Sequence, residues 1–272
     1  MSTQGNTQGA VPHGGGEIDT SVPHSARIWN YWLGGKDNYA ADRQAGDQYR
    51  EAFPGIDELA RASRYFLVRT IRYLAAEAGV RQFLDVGTGL PTVDNTHDVA
   101  QREAPDARIV YVDNDPLVLV HAHALLTSSP EGRTAYIEAD LRDPEAVIAG
   151  ARETLDLSRP VALILSGVLG HVGDHAEACG IVRALMSHLP SGSYLSHNDG
   201  VDDNPETNAA QDDYNDSGAV PYVLRSPEEI RAYYEGLELV PPGLVRINRW
   251  RPDVDADESA DAAAFGGVGR KP

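Results

Sequence analysis

The chain has 272 residues, 42% of them hydrophobic, with 23 Lys plus Arg against 41 Asp plus Glu for a formal net charge of −18. That size supports one large core or two small ones, no run approaches the ~18 apolar residues of a membrane-spanning helix, and the acidity disfavours broad engagement of phosphate backbones. The single cysteine, Cys179, excludes an internal disulfide and fits a reducing compartment.

Residues 1–22, rich in Gly, Ser, Thr and Gln, read as a flexible tail. They lack a basic run followed by an apolar block, so no secretory signal is expected. Ile28, Trp29, Trp32 and Leu33 then gather large apolar groups before Gly34-Gly35-Lys36-Asp37-Asn38-Tyr39, which reads as a turn or helix break. Three- and four-residue spacing of Leu59, Ala62, Phe66, Thr70 or Ile71, and Leu74 predicts a helix over 57–78.

The period then shortens. Gln82–Val86 and Arg108–Asp113 read as buried strands flanking a helix over 94–103. Asp115-Pro116 is a helix start, since the carboxylate caps and proline lacks an N–H that would be unpaired there. Thr134–Asp140, Pro160–Leu165 and Ser193–His197 are further strands, with helices opening at Asp143-Pro144, at Asp174 with Glu177, and at the capping box Ser226-Pro227-Glu228-Glu229. The segment Asn198–Ala219, with six aspartates, reads as a lid, an acceptor-binding loop or a solvated acidic loop, matching no metal-binding pattern. Leu237–Val240 and Leu244–Trp250, joined by Pro241-Pro242-Gly243, predict an antiparallel pair, and residues 253–272 read as a flexible acidic and Gly-rich tail.

Strands alternating with helices imply an α/β domain with ligands at the carboxyl edge of a mostly parallel sheet. At that edge lies Asp85-Val86-Gly87-Thr88-Gly89. A lone Gly-x-Gly is a weak signal; Thr92 replaces the third glycine of the dinucleotide fingerprint, and no phosphate-binding loop follows. Asp113 ends the second strand 24 residues beyond Gly89, placed to accept both ribose hydroxyls of a nucleoside. Asn114 can touch the adenine or ribose edge, and Asp140-Leu141 offers an acceptor for the adenine amine beside an apolar wall. Turn formation is the alternative role for Asn114 and Asp140.

Together Pro23–Arg27, Tyr31–Tyr39, Phe83–Thr92, Tyr111–Pro116, Ala139–Pro144 and Leu237–Pro252 resemble the actinobacterial S-adenosyl methyltransferase family, once filed as a domain of unknown function, within the class I enzymes that use S-adenosylmethionine (SAM). The resemblance implies a Rossmann-like fold with a seven-stranded sheet, an antiparallel strand in its last hairpin, and a helical N-terminal cover. Cover and SAM-binding domain would occupy residues 23–80 and 81–252. Gly87, Thr88 and Gly89 would hold the methionine part, Asp113 and Asn114 the ribose side, Asp140 and Leu141 the adenine; Ser166, Lys36, Asn38 and Arg64 are further cofactor candidates. Family patterns often carry histidine in place of Gly170 and a bulkier aromatic in place of His171.

A sulfonium methyl group is already electrophilic, so alignment and water exclusion supply much of the rate, with a base needed where the acceptor must lose a proton. His171 and His197, both after apolar strands, are the candidate catalytic residues. The expected protein is a cytoplasmic, SAM-dependent methyltransferase that acts on a small molecule, releases S-adenosylhomocysteine (SAH), binds no nucleic acid or membrane, holds no metal, and is compatible with a homodimer. The competing readings are a SAM- or SAH-binding regulatory protein without activity and, third, a nicotinamide oxidoreductase.

Overall fold

In the computed structural model, residues 19–125, 128–253 and 261–272 are described; most of the expected first tail and part of the second lie outside them. The first apolar cluster forms α1 (Ser25–Trp32), followed by α2 (Ala40–Ala52) and α3 (Ile56–Arg72). Nδ1 of His24 accepts the Ala26 N–H at the start of α1, and Oδ2 of Asp42 accepts the Tyr39 N–H at the start of α2. Helix α3 buries Phe66, Thr70 and Ile71 of the stripe its spacing predicts, with Leu67 beside them, and continues through a wide turn at Tyr73–Glu77 that buries Leu74.

Five parallel strands follow: β1 (Gln82–Val86), β2 (Arg108–Asp113), β3 (Arg133–Glu138), β4 (Ala162–Ser166) and β5 (Tyr194–Gly200). Between them run α4 (Thr96–Glu103), α5 (Pro116–Leu125), α6 (Pro144–Ala151) and α7 (His175–Ser187). Strand side chains alternate between faces. Phe83, Ile109 and Ile164 join Phe66, Ile71 and Trp250 on one face, while Leu84, Val110 and Leu163 join Ile148, Val182 and Leu185 on the other. Both faces are therefore covered, as a parallel sheet requires. Asp174 caps α7 through the Glu177 N–H.

After β5 the acidic segment is not an open loop. It forms α8 (Pro205–Asn215), capped by Asn204 and packed on the cover, with the Tyr49 hydroxyl donating to Gln211 and the Tyr49 and Tyr214 rings 5.9 Å apart. Helix α9 (Pro227–Ala232) follows, opened by the expected Ser226–Glu229 capping box.

The carboxyl-terminal region corrects two expectations. Ala264–Arg270, placed in a tail, is strand β8, antiparallel to β5 over its whole length. Its Gly266, Gly267 and Gly269 carry no side chains to show an alternating pattern, so the strand is silent to periodicity. Nor do Leu237–Val240 and Leu244–Trp250 pair with each other. Only β6 (Glu238–Leu239) and β7 (Val245–Arg246) are extended, and both pair antiparallel with β8, as two pieces of one edge strand. Pro241 and Pro242 interrupt it because neither has an N–H to give the ladder. The rest of the second run turns through Ile247–Arg249 and buries Trp250. The sheet order is β3-β2-β1-β4-β5-β8-β6, with β7 beside β8: the mixed, mostly parallel sheet of a class I Rossmann-like methyltransferase fold.

Candidate cofactor and acceptor site

Beyond β1 the chain turns through Gly87 and Gly89, both in the left-handed region with φ of +73° and +65°. The turn is held from the next strand: Oδ2 of Asp113 accepts the Gly89 N–H at 2.9 Å, and Oδ1 accepts that of Asp115 at 2.9 Å. Each oxygen keeps a second lone pair for a ligand hydroxyl. Burial holds the Asp113 carboxyl above its ordinary pKa, against the pull of those two amides.

Asp85 ends deeper. Burial raises it to about 6, opposed by the Thr96 hydroxyl donating at 2.5 Å and by the nearby Arg64 guanidinium. Arg64 arrives from α3 and donates from Nε and Nη2 to the Val93 carbonyl at 3.2 and 3.0 Å. Its own pKa is lowered by burial, with Asp85 resisting. A carboxylate and a guanidinium thus share one corner beside the glycine turn.

The β4 and β5 ends carry a second polar group. Ser166 donates to Oδ1 of Asn198 at 2.8 Å, and Nδ2 of Asn198 donates to the Ser63 hydroxyl at 2.9 Å. Next to it Asp199, 1% exposed, accepts the Tyr222 phenol on Oδ1 at 2.7 Å and lies 2.7 Å from Nε2 of His197 through Oδ2. His171 stands edge-on to the Tyr222 ring, centroids 5.0 Å apart, with Nδ1 2.9 Å from the Pro221 carbonyl. A carbonyl only accepts, so Nδ1 carries the proton and Nε2 keeps a lone pair. Burial lowers the His171 pKa and favours this neutral form.

These groups line one cavity of about 310 Å³. Of the residues expected from sequence, Gly87, Thr88, Gly89, Asp113 and Asn114 form its wall at β1 and β2. Leu141, Ser166, Arg64 and His171 also line it. Four others stand apart. Lys36 is exposed outside the walls. Asn38 donates to Asn30 and to the Gly35 carbonyl, ordering the turn after α1. Asp140 accepts the Arg142 N–H and so caps a turn instead of facing the cavity. His197, 0% exposed, is sealed beside Tyr233 and Tyr234 and reaches the cavity only through Asp199.

Several lining groups had no readable role in the sequence. His24 sits 3.1 Å from Asp115 at the junction of cover and sheet; it stood in a family motif with no function attached. Asp199 was one aspartate among six. Tyr222, which packs on the backbone at Gly170, has no local signal; a Cβ at that glycine would lie 2.3 Å from the ring. The cover adds an unbroken row of rings: Trp29 to Trp32 at 5.8 Å, Trp32 to Tyr49 at 5.1 Å, and Tyr49 to Tyr214 of α8.

Among the described residues no helix is long and apolar enough to cross a membrane. The sequence model of the S-adenosyl methyltransferase family matches residues 13–272. Among solved structures, a DUF574 family protein from Streptomyces avermitilis MA-4680 is 46% identical with a TM-score of 0.91, covering 94% of this chain and 100% of that one. A protein from Thermobifida fusca YX is 42% identical with a TM-score of 0.87, covering 93% and 96% respectively. No protein of curated function matches the sequence. The match over nearly the whole length places this chain in the S-adenosyl methyltransferase family, as an enzyme that binds SAM and transfers its methyl group to a small-molecule acceptor, leaving SAH.

Proposed function

We propose that the two polar groups divide the cavity into a cofactor half at the β1–β3 ends and an acceptor half between β4, β5 and the cover. The observation that carries this reading is the placement of the glycine turn, Asp113 and the aromatic row around one continuous space. The donor set suits SAM: Asp113 has free lone pairs for two ribose hydroxyls, Leu141 an apolar surface for adenine, and Asp85 with Arg64 opposite charges for an ammonium and a carboxylate. Bound there, the cofactor supplies an activated methyl group. Thr88 and Asn114 complete that half, and Ser166, at the end of β4 and bonded to Asn198, stands where it meets the acceptor half.

The chain's own residues do the rest. The cover and α8 exclude water, which strengthens every electrostatic contact inside. His171, neutral and with Nε2 unprotonated, takes the acceptor's proton. His197 orients Asp199 and touches no ligand. Because the aromatic row continues the space past the cofactor walls, the acceptor half is open, which favours catalysis over a binding-only regulator. The formal charge of −18 supports a free metabolite, met in the cytoplasm, over nucleic acid as acceptor. Calorimetric titration with SAM and with SAH should show saturable binding on the micromolar scale; no heat from either overturns the assignment.

A further inference from the structure

We infer that the acceptor is an amine with an apolar body, recognised as a cation between the Asp199 carboxylate and the aromatic row of the cover. This rests on the division of the cavity proposed above. Asp199 lies in the cavity wall yet is 1% exposed. Among the described residues no lysine or arginine pairs with it: Tyr222 and His197 are its hydrogen-bond partners. The two arginines of the cavity stand away from Asp199, Arg64 beside Asp85 in the cofactor half and Arg142 at the His171 carbonyl and beside Glu177. A buried carboxylate with no lysine or arginine against it stabilises a positive ligand and repels a phenolate or carboxylate.

Trp29, Trp32, Tyr49 and Tyr214 line the same cavity as a connected row of rings. Aromatic walls of this kind hold ammonium and methylated ammonium groups through the ring quadrupole. Both ends of the reaction therefore suit the site, since substrate and product are each cationic. The bound ammonium gives one proton to Nε2 of His171. Its lone pair then forms the N–C bond as the C–S bond breaks, with that electron pair left on sulfur; the new methylammonium keeps the positive charge and SAH is neutral at sulfur. Asp199 is the acceptor-recognition residue, and His197 is a positioning residue behind it.

Isothermal titration of the SAH-bound enzyme with phenethylamine, phenethyl alcohol and phenylpropionate tests this. The amine is expected to bind saturably and the alcohol and acid at least about tenfold more weakly, as loss of a charge-assisted contact entails. Asp199→Asn should erase that preference while retaining SAH affinity. Loss of SAH binding by an Asp199→Asn protein that keeps its cooperative thermal transition places Asp199 on the cofactor side and overturns the assignment; where that transition is lost too the variant has misfolded, and phenethyltrimethylammonium titrated into the native SAH complex decides: it should compete with phenethylamine. Equal or tighter binding of the alcohol or acid, no binding of either cation, or an unchanged preference in a folded Asp199→Asn protein overturns the amine assignment. Failure of SAH to bind the native enzyme is a separate result that overturns the cofactor assignment.

Discussion

Asp113, at the end of β2, holds the turn after β1 by accepting the Gly89 N–H at 2.9 Å. One carboxylate thus shapes the glycine turn and faces the cavity beside it. Asp113→Ala removes both the ribose acceptor and the anchor of the turn. With each charge-assisted hydrogen bond worth ~1.5–3 kcal/mol, SAM affinity should fall about a hundredfold or more. Calorimetry checks this, and an unchanged Kd rejects the ribose role.

Asp85 should cost stability where it serves binding. Its folded pKa of about 6 lies above the unfolded 3.8, so between those values the folded state binds the extra proton. The contribution is fully present below that window and lost as pH rises through it. Asp85→Asn should therefore raise the Tm near pH ~7.5, by an amount corresponding to at most about 3 kcal/mol, and leave it little changed near pH ~4. The same substitution should weaken SAM. Thermal unfolding at the two pH values, alongside titration, separates the effects; a lower Tm near neutral pH contradicts the account.

His171→Gln should lower kcat by about 10²–10⁴ with little change in SAM affinity. In the parent enzyme the reactive form is the neutral ring, and burial sets its pKa below the ordinary imidazole value. Activity should hold through neutral pH and fall only on the acid side, below ~6.5. Persistence of that acid limb in His171→Gln would assign it to another group.

Gly170→Ala probes the acceptor half. The new methyl would lie 2.3 Å from the Tyr222 ring, which must shift and release its hydrogen bond to Asp199. A raised acceptor KM with SAM binding preserved within about twofold is the expected pattern. Loss of SAM binding instead would place Tyr222 on the cofactor side.

Deleting residues 261–272 removes β8 from between β5 and the β6–β7 edge. Val268, fully buried, and the whole ladder between β5 and β8 go with it. No cooperative thermal transition should remain by circular dichroism, whereas a dispensable tail would leave Tm unchanged.

What could be read locally was what local chemistry controls. The Asp115, Asp143 and Ser226 helix starts depend on a side chain reaching an amide two or three residues away. The strands β1, β2 and β4 show as short apolar runs because both their faces are buried, and the turn after β1 shows through its glycines. Residues at strand ends were visible for the same reason: topology puts Asp113 and Ser166 at the carboxyl edge of any parallel sheet.

Only the tertiary structure decided what depends on distant partners. β8 is rich in glycine, and its place is set by pairing with β5 and with both halves of a proline-broken edge. Asp199 differs from its acidic neighbours because β5 carries it inward to His197 while Tyr222 returns from beyond α8 to meet it. The aromatic row joins α1, α2 and α8, the last more than 150 residues away in sequence. Family membership and cofactor were therefore legible from motifs along the chain. The wall that selects the acceptor was not, because its residues share a surface only after the cover and α8 close over the sheet.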